Sequence, residues 1–216
     1  QGLNTPYKAS GEKPELLYYG DMDNSGRARI VEAKFEGSTL YPRRGLSCSS
    51  LAMPGIRGKV GTFKNFASST LSDLYSESRL DKAQRFEARE LRSAILLNDG
   101  SGRFEWRALP RAAQLSPSNC ALLRDFDRDG KIDCLLGQNF YGAQPEIGHH
   151  DSGLGLLLRG RGDGGFEPVP PKQSGILVPG AAMSLDYVDL NGDGFEEIVF
   201  GVNGGRMRIF TLVKGR

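Results

Sequence analysis

The sequence predicts an all-β chain of β-propeller blades. Each blade is a four-stranded antiparallel sheet, and the whole forms a partial propeller with a small helical insertion. Three observations predict it. Glycine (29) and proline (11) together make 40 of the 216 residues, which suits many tight turns between short strands. An acidic, glycine-containing loop between two apolar runs recurs at 18–35, 122–140 and 186–203. A second hairpin pattern, a Gly-rich turn leading into Gly-x-Phe-Glu, recurs at 93–110 and 154–171.

The elements follow in order. "YYGDMDNSGRARIVEAKF" (18–35) reads as strand, acidic turn and returning strand. Residues 41–84 then read as an insertion within the first blade: Thr70 can cap a helix with Asp73 three places on, and Leu71, Leu74 and Tyr75 share a face. "SESRLDKA" adds another turn or two, and "QRFEARELRSAILLN" reads as one long strand because a hairpin turn follows it. The hairpin at 93–110, the acidic hairpin at 122–140 and the Gly-rich hairpin at 154–171 come next, then the acidic hairpin at 186–203. "GVNGGRMRIFTLVKG" (201–215) reads as a shortened last hairpin turning at Asn203-Gly204-Gly205. Asp125 to Asp189 gives a period of 64 residues, whereas Asp21 to Asp125 spans 104, so the 40 extra residues are the insertion. Two hairpins make a blade, and the chain, taken as one propeller segment over 1–216, holds about two and a half. A closed propeller takes about four to eight, so the remaining blades are expected from a longer parent chain or from other copies.

The acidic loops carry the chemistry. A hard cation such as Ca2+ takes about six to eight oxygens at roughly 2.3–2.6 Å. A tight loop supplies them from side chains at positions 1, 3 and 5, a carbonyl at 7 and a carboxylate at 9. In the second loop these are Asp125, Asp127, Asp129, the carbonyl of Lys131, and Asp133; in the third, Asp189, Asn191, Asp193, the carbonyl of Phe195, and Glu197. Gly130 and Gly194 at position 6 permit the sharp turn. An EF-hand is excluded, because position 12 is Leu136 or Phe200 rather than glutamate. The first loop has Asp21 and Asp23 but Ser25 at position 5 and Arg29 at position 9, so it is expected to be empty or weak.

Other features read as structural. The net charge is +2, with no basic run interleaved with aromatics, which argues against a nucleic-acid partner. The longest apolar runs, "SAILL" and "GLGLLL", fall far short of a membrane span. The chain begins at Gln1, so it is expected to be a mature or cut fragment. Cys120 and Cys134 flank the second loop with an offset of four residues, roughly 13 Å at strand rise, which predicts free thiols. "GHHD" (148–151) reads as a polar loop rather than a catalytic group, Arg161-Gly162-Asp163 as a hairpin tip, and Phe104, Trp106 and Phe166 as blade packing.

"DFDRDGKIDCLLG" and "DLNGDGFEEIVFG" resemble FG-GAP/VCBS repeats, the blades of integrin-α-like β-propellers. The stretch from "NDGSGRFEW" to "FEPVPP" and the insertion "MPGIRGKVGTFKNFASSTLSDLYS" are similar to the C-terminal part of large bacterial ASPIC/UnbV-type proteins, so the resemblance covers most of 15–216. It implies a propeller with calcium in the two intact loops. It also implies a secreted or cell-envelope setting in a bacterium, and adhesion or binding to a protein or glycan rather than catalysis. A carbohydrate-binding or accessory domain of a secreted enzyme is the second reading.

Overall fold

The computed structural model describes residues 2–143 and 147–212. It is mostly β, built of antiparallel sheets, and its chain divides into two compact units, one of residues 6–91 and one of residues 1–5 with 92–216. No helix among the described residues is long and apolar enough to cross a membrane.

In the unit of residues 6–91, strands β1 (Glu15–Gly20), β2 (Arg29–Glu36) and β3 (Thr39–Pro42) form a meander. Five short helices follow: α1 (Leu46–Ala52), α2 (Gly55–Val60), α3 (Phe63–Ser68), α4 (Leu71–Tyr75) and α5 (Glu77–Lys82). They fall within the 41–84 stretch read as helical. Strand β4 (Gln84–Ala88) then returns beside β1, giving the order β3-β2-β1-β4. The register Leu16↔Ala33 and Tyr18↔Val31 puts four apolar side chains on one face, because alternate strand residues share a face. That face packs with Leu46, Ile56, Leu71 and Leu74 of the helices and with Met53 between α1 and α2. Thr70 starts α4 as expected: its hydroxyl accepts from Asp73 N (3.2 Å) while its own N–H donates to the Asp73 carboxylate (2.8 Å).

The predicted long strand over "QRFEARELRSAILLN" is two strands in two sheets. β4 ends at Ala88 and β5 (Ala94–Asn98) pairs only with β6 (Phe104–Ala108), so the 93–110 hairpin does not complete the first sheet. The buried Gln114 side chain explains the break. Its carbonyl accepts from Ser93 N (2.8 Å), and its amide donates to Ser93 O (2.8 Å) and Leu109 O (2.9 Å), which fixes the chain just before β5.

The 122–171 region is built as predicted. β7 (Ser118–Arg124), β8 (Asp133–Gln138), β9 (Leu156–Gly160) and β10 (Phe166–Val169) form a four-stranded meander, β10-β9-β8-β7. A one-turn helix α6 (Pro171–Ser174) leads to β11 (Ala181–Val188), β12 (Glu197–Asn203) and β13 (Arg208–Thr211), a three-stranded sheet. The turn after Asn203 matches the expected shortened hairpin, and its last residues, 213–216, lie outside those described.

β8 is buried along its whole length. Leu135 packs with Ile198 and Phe200 of β12 and with Ile176 and Val178. Its neighbours Cys134 and Leu136 point the other way, onto Leu158, Leu109 and Ala113. A middle strand sandwiched between two layers is how stacked propeller blades bury their faces. The cysteines are free as predicted. The register that pairs Arg124 with Asp133 places Cys120 opposite Gly137 and Cys134 opposite Leu123, so the two thiols are offset along the hairpin. Burial pushes the Cys134 thiol up to about 12.

Candidate metal centre

Each acidic loop closes one hairpin, and all three close it in the same register. The residue before position 1 pairs with position 9: Gly20↔Arg29, Arg124↔Asp133 and Val188↔Glu197. The backbone is left-handed at position 4 (Asn24, Arg128, Gly192) and at position 6 (Gly26, Gly130, Gly194). These turns aim backbone N–H groups inward. The position-1 carboxylate accepts from the position-6 glycine in every loop: Gly26 N to Asp21 (2.8 Å), Gly130 N to Asp125 (2.9 Å) and Gly194 N to Asp189 (2.8 Å). Such donors favour the ionised form. The N–H of Gly26 holds Asp21, and that of Gly194 holds Asp189, below the usual carboxylate range.

Position 9 is the buried rung. Asp133 Oδ2 accepts from Phe126 N (3.0 Å), and Glu197 Oε2 accepts from Leu190 N (3.0 Å), the same position-2 donor in each loop. Asp133 Oδ1 also accepts from Gly160 N on β9 (2.8 Å). In the first loop Arg29 occupies this place, its buried Nε has no partner, and Met22 O accepts from Arg79 instead (3.0 Å).

One group of three acidic side chains among the described residues converges on a point: Asp125, Asp127 and Asp133 each bring an oxygen within 4.8 Å of the others. Oxygens on opposite sides of Ca2+ lie about 5 Å apart, twice the Ca–O distance, so the span suits that ion. Asp129 stands apart from the group. It accepts from Lys131 N (2.9 Å) and pairs with the Lys131 ammonium (3.2 Å), which together hold its pKa low. Asp127 accepts from Arg159 Nε of β9 (2.9 Å). In the third loop Asp189 accepts from Gly192 N (2.7 Å), Asn191 from Asp193 N (2.9 Å), and Asp193 from Phe195 N (2.9 Å). Asn191 also donates its amide to Asp193 (3.0 Å). The two loops are linked, since Arg124 pairs with Glu196 (3.1 Å) and lies over the Tyr187 ring at 4.2 Å. Phe126 meets the same ring edge-on.

Residues 125–200 match the FG-GAP-like repeat. The matched segment is 76 of the 216 residues. It runs from position 1 of the second loop to Phe200 in β12, so it contains both intact acidic loops. The chain matches no curated protein. Within the matched segment, sequence reasoning missed Arg159 and Gly160, which serve the second loop from β9. Nothing in the loop's own spacing pointed to a strand 27 to 32 residues away.

The remaining predicted features divide. His150 makes a backbone bridge with Phe140 and His149 stacks on Tyr141 at 4.6 Å. Arg161 turns back on Asp163 (3.7 Å) and Glu167 (4.0 Å) at the hairpin tip. Phe166 packs against the core as expected. Phe104 and Trp106 do not: they are 59% and 40% exposed beside Leu96, with Arg92 stacked over Trp106 at 4.5 Å. The β5–β6 sheet has only two strands, so this face lacks the covering layer that the blade assignment supplied.

Proposed function

We propose that the protein is a non-enzymatic, calcium-binding propeller module that binds a protein or glycan ligand in a secreted or cell-envelope setting. The convergence of Asp125, Asp127 and Asp133 carries the calcium reading. Asp129 and the Lys131 carbonyl would complete the second site, and Asp189, Asn191, Asp193, the Phe195 carbonyl and Glu197 would form the third. A bound ion supplies positive charge that cancels the carboxylates' repulsion and ties the two strands of each hairpin together. The ion is structural in this reading: its ligands lie on a hairpin turn and on the first residue of the strand that follows, so it ties the two together. The bacterial, exported setting and the adhesive role rest on the sequence resemblance to FG-GAP/VCBS repeats and ASPIC/UnbV-type proteins over most of residues 15–216.

Thermal melting with and without calcium tests the reading. A ligand at about 100 times its Kd adds roughly 2.7 kcal/mol, so the melting temperature should rise with calcium and return with chelator. Asp127→Asn, at an exposed position, should weaken calcium affinity about tenfold without lowering the apo melting temperature. A melting temperature indifferent to calcium sinks the metal reading.

A second reading, a carbohydrate-binding or accessory domain of a secreted enzyme, draws on the exposed Leu96, Phe104 and Trp106 face. Aromatic faces stack on sugar rings. A glycan array that lights up with the parent chain and goes dark with Trp106→Ala would favour it over a protein ligand.

A further inference from the structure

A cleft of about 490 Å³ opens in the unit of residues 6–91. Small-molecule sites typically occupy about 300–1,000 Å³. One wall is formed by Glu15 of β1, Lys34 and Phe35 of β2, and Arg43 just past β3; the other is the N-terminal strap from Pro6 to Lys13.

The charges in this cleft do not cancel. Glu15 is buried and spends its carboxylate on Arg43 Nε (2.9 Å), on Arg43 Nη2 and on Lys8 N (2.9 Å). Arg43 is thereby neutralised and lies over the Tyr7 ring at 4.2 Å. Lys34 pairs with Glu36 at 2.6 Å. The strap closes on itself, with Ser10 N donating to Lys13 O and Lys13 N to Ser10 Oγ, both at 3.0 Å. Its backbone is therefore fixed at Lys8 and at Lys13. The ammonium groups of those two lysines have no acidic partner among the described residues. Two unpaired cations, on a strap tied down at both points, attract an anion to the cleft between them.

We propose that this cleft binds a small organic dianion of the phosphate-monoester kind, with Lys8 and Lys13 taking the charged end and Phe35 and Pro6 the apolar body. The site is independent of the acidic loops and of their calcium.

Calorimetric titration of the full chain with inorganic phosphate and with phenyl phosphate, in calcium-free buffer, tests it. Phenyl phosphate should bind saturably, more tightly than inorganic phosphate, and more weakly as salt rises. Lys8→Ala with Lys13→Ala should weaken it about tenfold or more, and Lys8→Arg with Lys13→Arg should keep it. The alanine pair should melt with the parent, because both side chains are exposed and the Lys8 N–H to Glu15 survives. No saturable binding of either anion up to ~10 mM, or unchanged binding in the alanine pair, overturns the proposal. Equal affinity for the two anions overturns the assignment to an organic ligand.

Discussion

Gly130 shows how much of the loop is backbone conformation. Its φ is +85°, and a Cβ added there would meet nothing within 4 Å. Gly130→Ala therefore costs only the left-handed strain, about 1–2 kcal/mol, read as a lower denaturant midpoint with an unchanged slope. Arg128 bears the same strain at position 4 with φ 62°, where the sister loops use Asn24 and Gly192. Asp133 is the contrasting residue. It is the only one of the second loop's carboxylates that is buried, and both of its oxygens accept backbone N–H groups. The loop was legible in the sequence because its spacing is local. The partition of its acids was not: Asp129 turns to Lys131 and Asp127 is shared with Arg159, contacts that depend on side-chain direction and on a distant strand.

Gly160 belongs to the scale of the element. Its φ is ordinary, but a Cβ there would lie 2.0 Å from Ile132 O, a backbone atom that cannot swing aside. Gly160→Ala should cost about 3 kcal/mol, more than Gly130→Ala, through clash rather than strain. Urea melts of the two variants side by side check the order, and an equal or smaller loss at Gly160 would count against the packing described here. Hairpins, acidic turns and the Thr70 cap were readable because each is specified within about ten residues. The break between β4 and β5 was not, since Gln114 reaches back 21 residues to hold Ser93. The pairing of β4 with β1 rather than with β5–β6 escaped for the same reason: helices α1–α5 intervene, and sequence period alone cannot say which edge a returning strand takes.

At the scale of the whole molecule, acid and alkali act through opposite groups. Asp21, Asp129 and Asp189 have folded pKa values below their unfolded ones, set first by the N–H groups of Gly26, Lys131 and Gly194 respectively. Such groups stabilise the fold above the ordinary carboxylate range, and the contribution is lost as pH falls through their folded values. The melting temperature should hold near neutrality and drop below about pH 4. Cys134 works the other way. Its thiol, raised to about 12, stabilises the fold below the unfolded thiol value and loses that contribution as pH climbs toward the folded one. Melting curves across pH check both limbs, and an acid limb that stays flat would count against the loops' N–H cradles.

The double burial of β8 carries a consequence for how the chain finds its fold. In a sheet with one wet face, a one-residue slip throws apolar side chains into water and is rejected on that ground. A slip of β8 would trade one dry interior for another, so hydrophobicity polices its alignment poorly. Asp133 at the first position of β8 supplies the missing check. Its carboxylate reads the N–H of Phe126 on one side and of Gly160 on the other, and only one alignment offers both. The last acid of the loop acts as a registration mark for the strand that follows, whether or not an ion ever arrives.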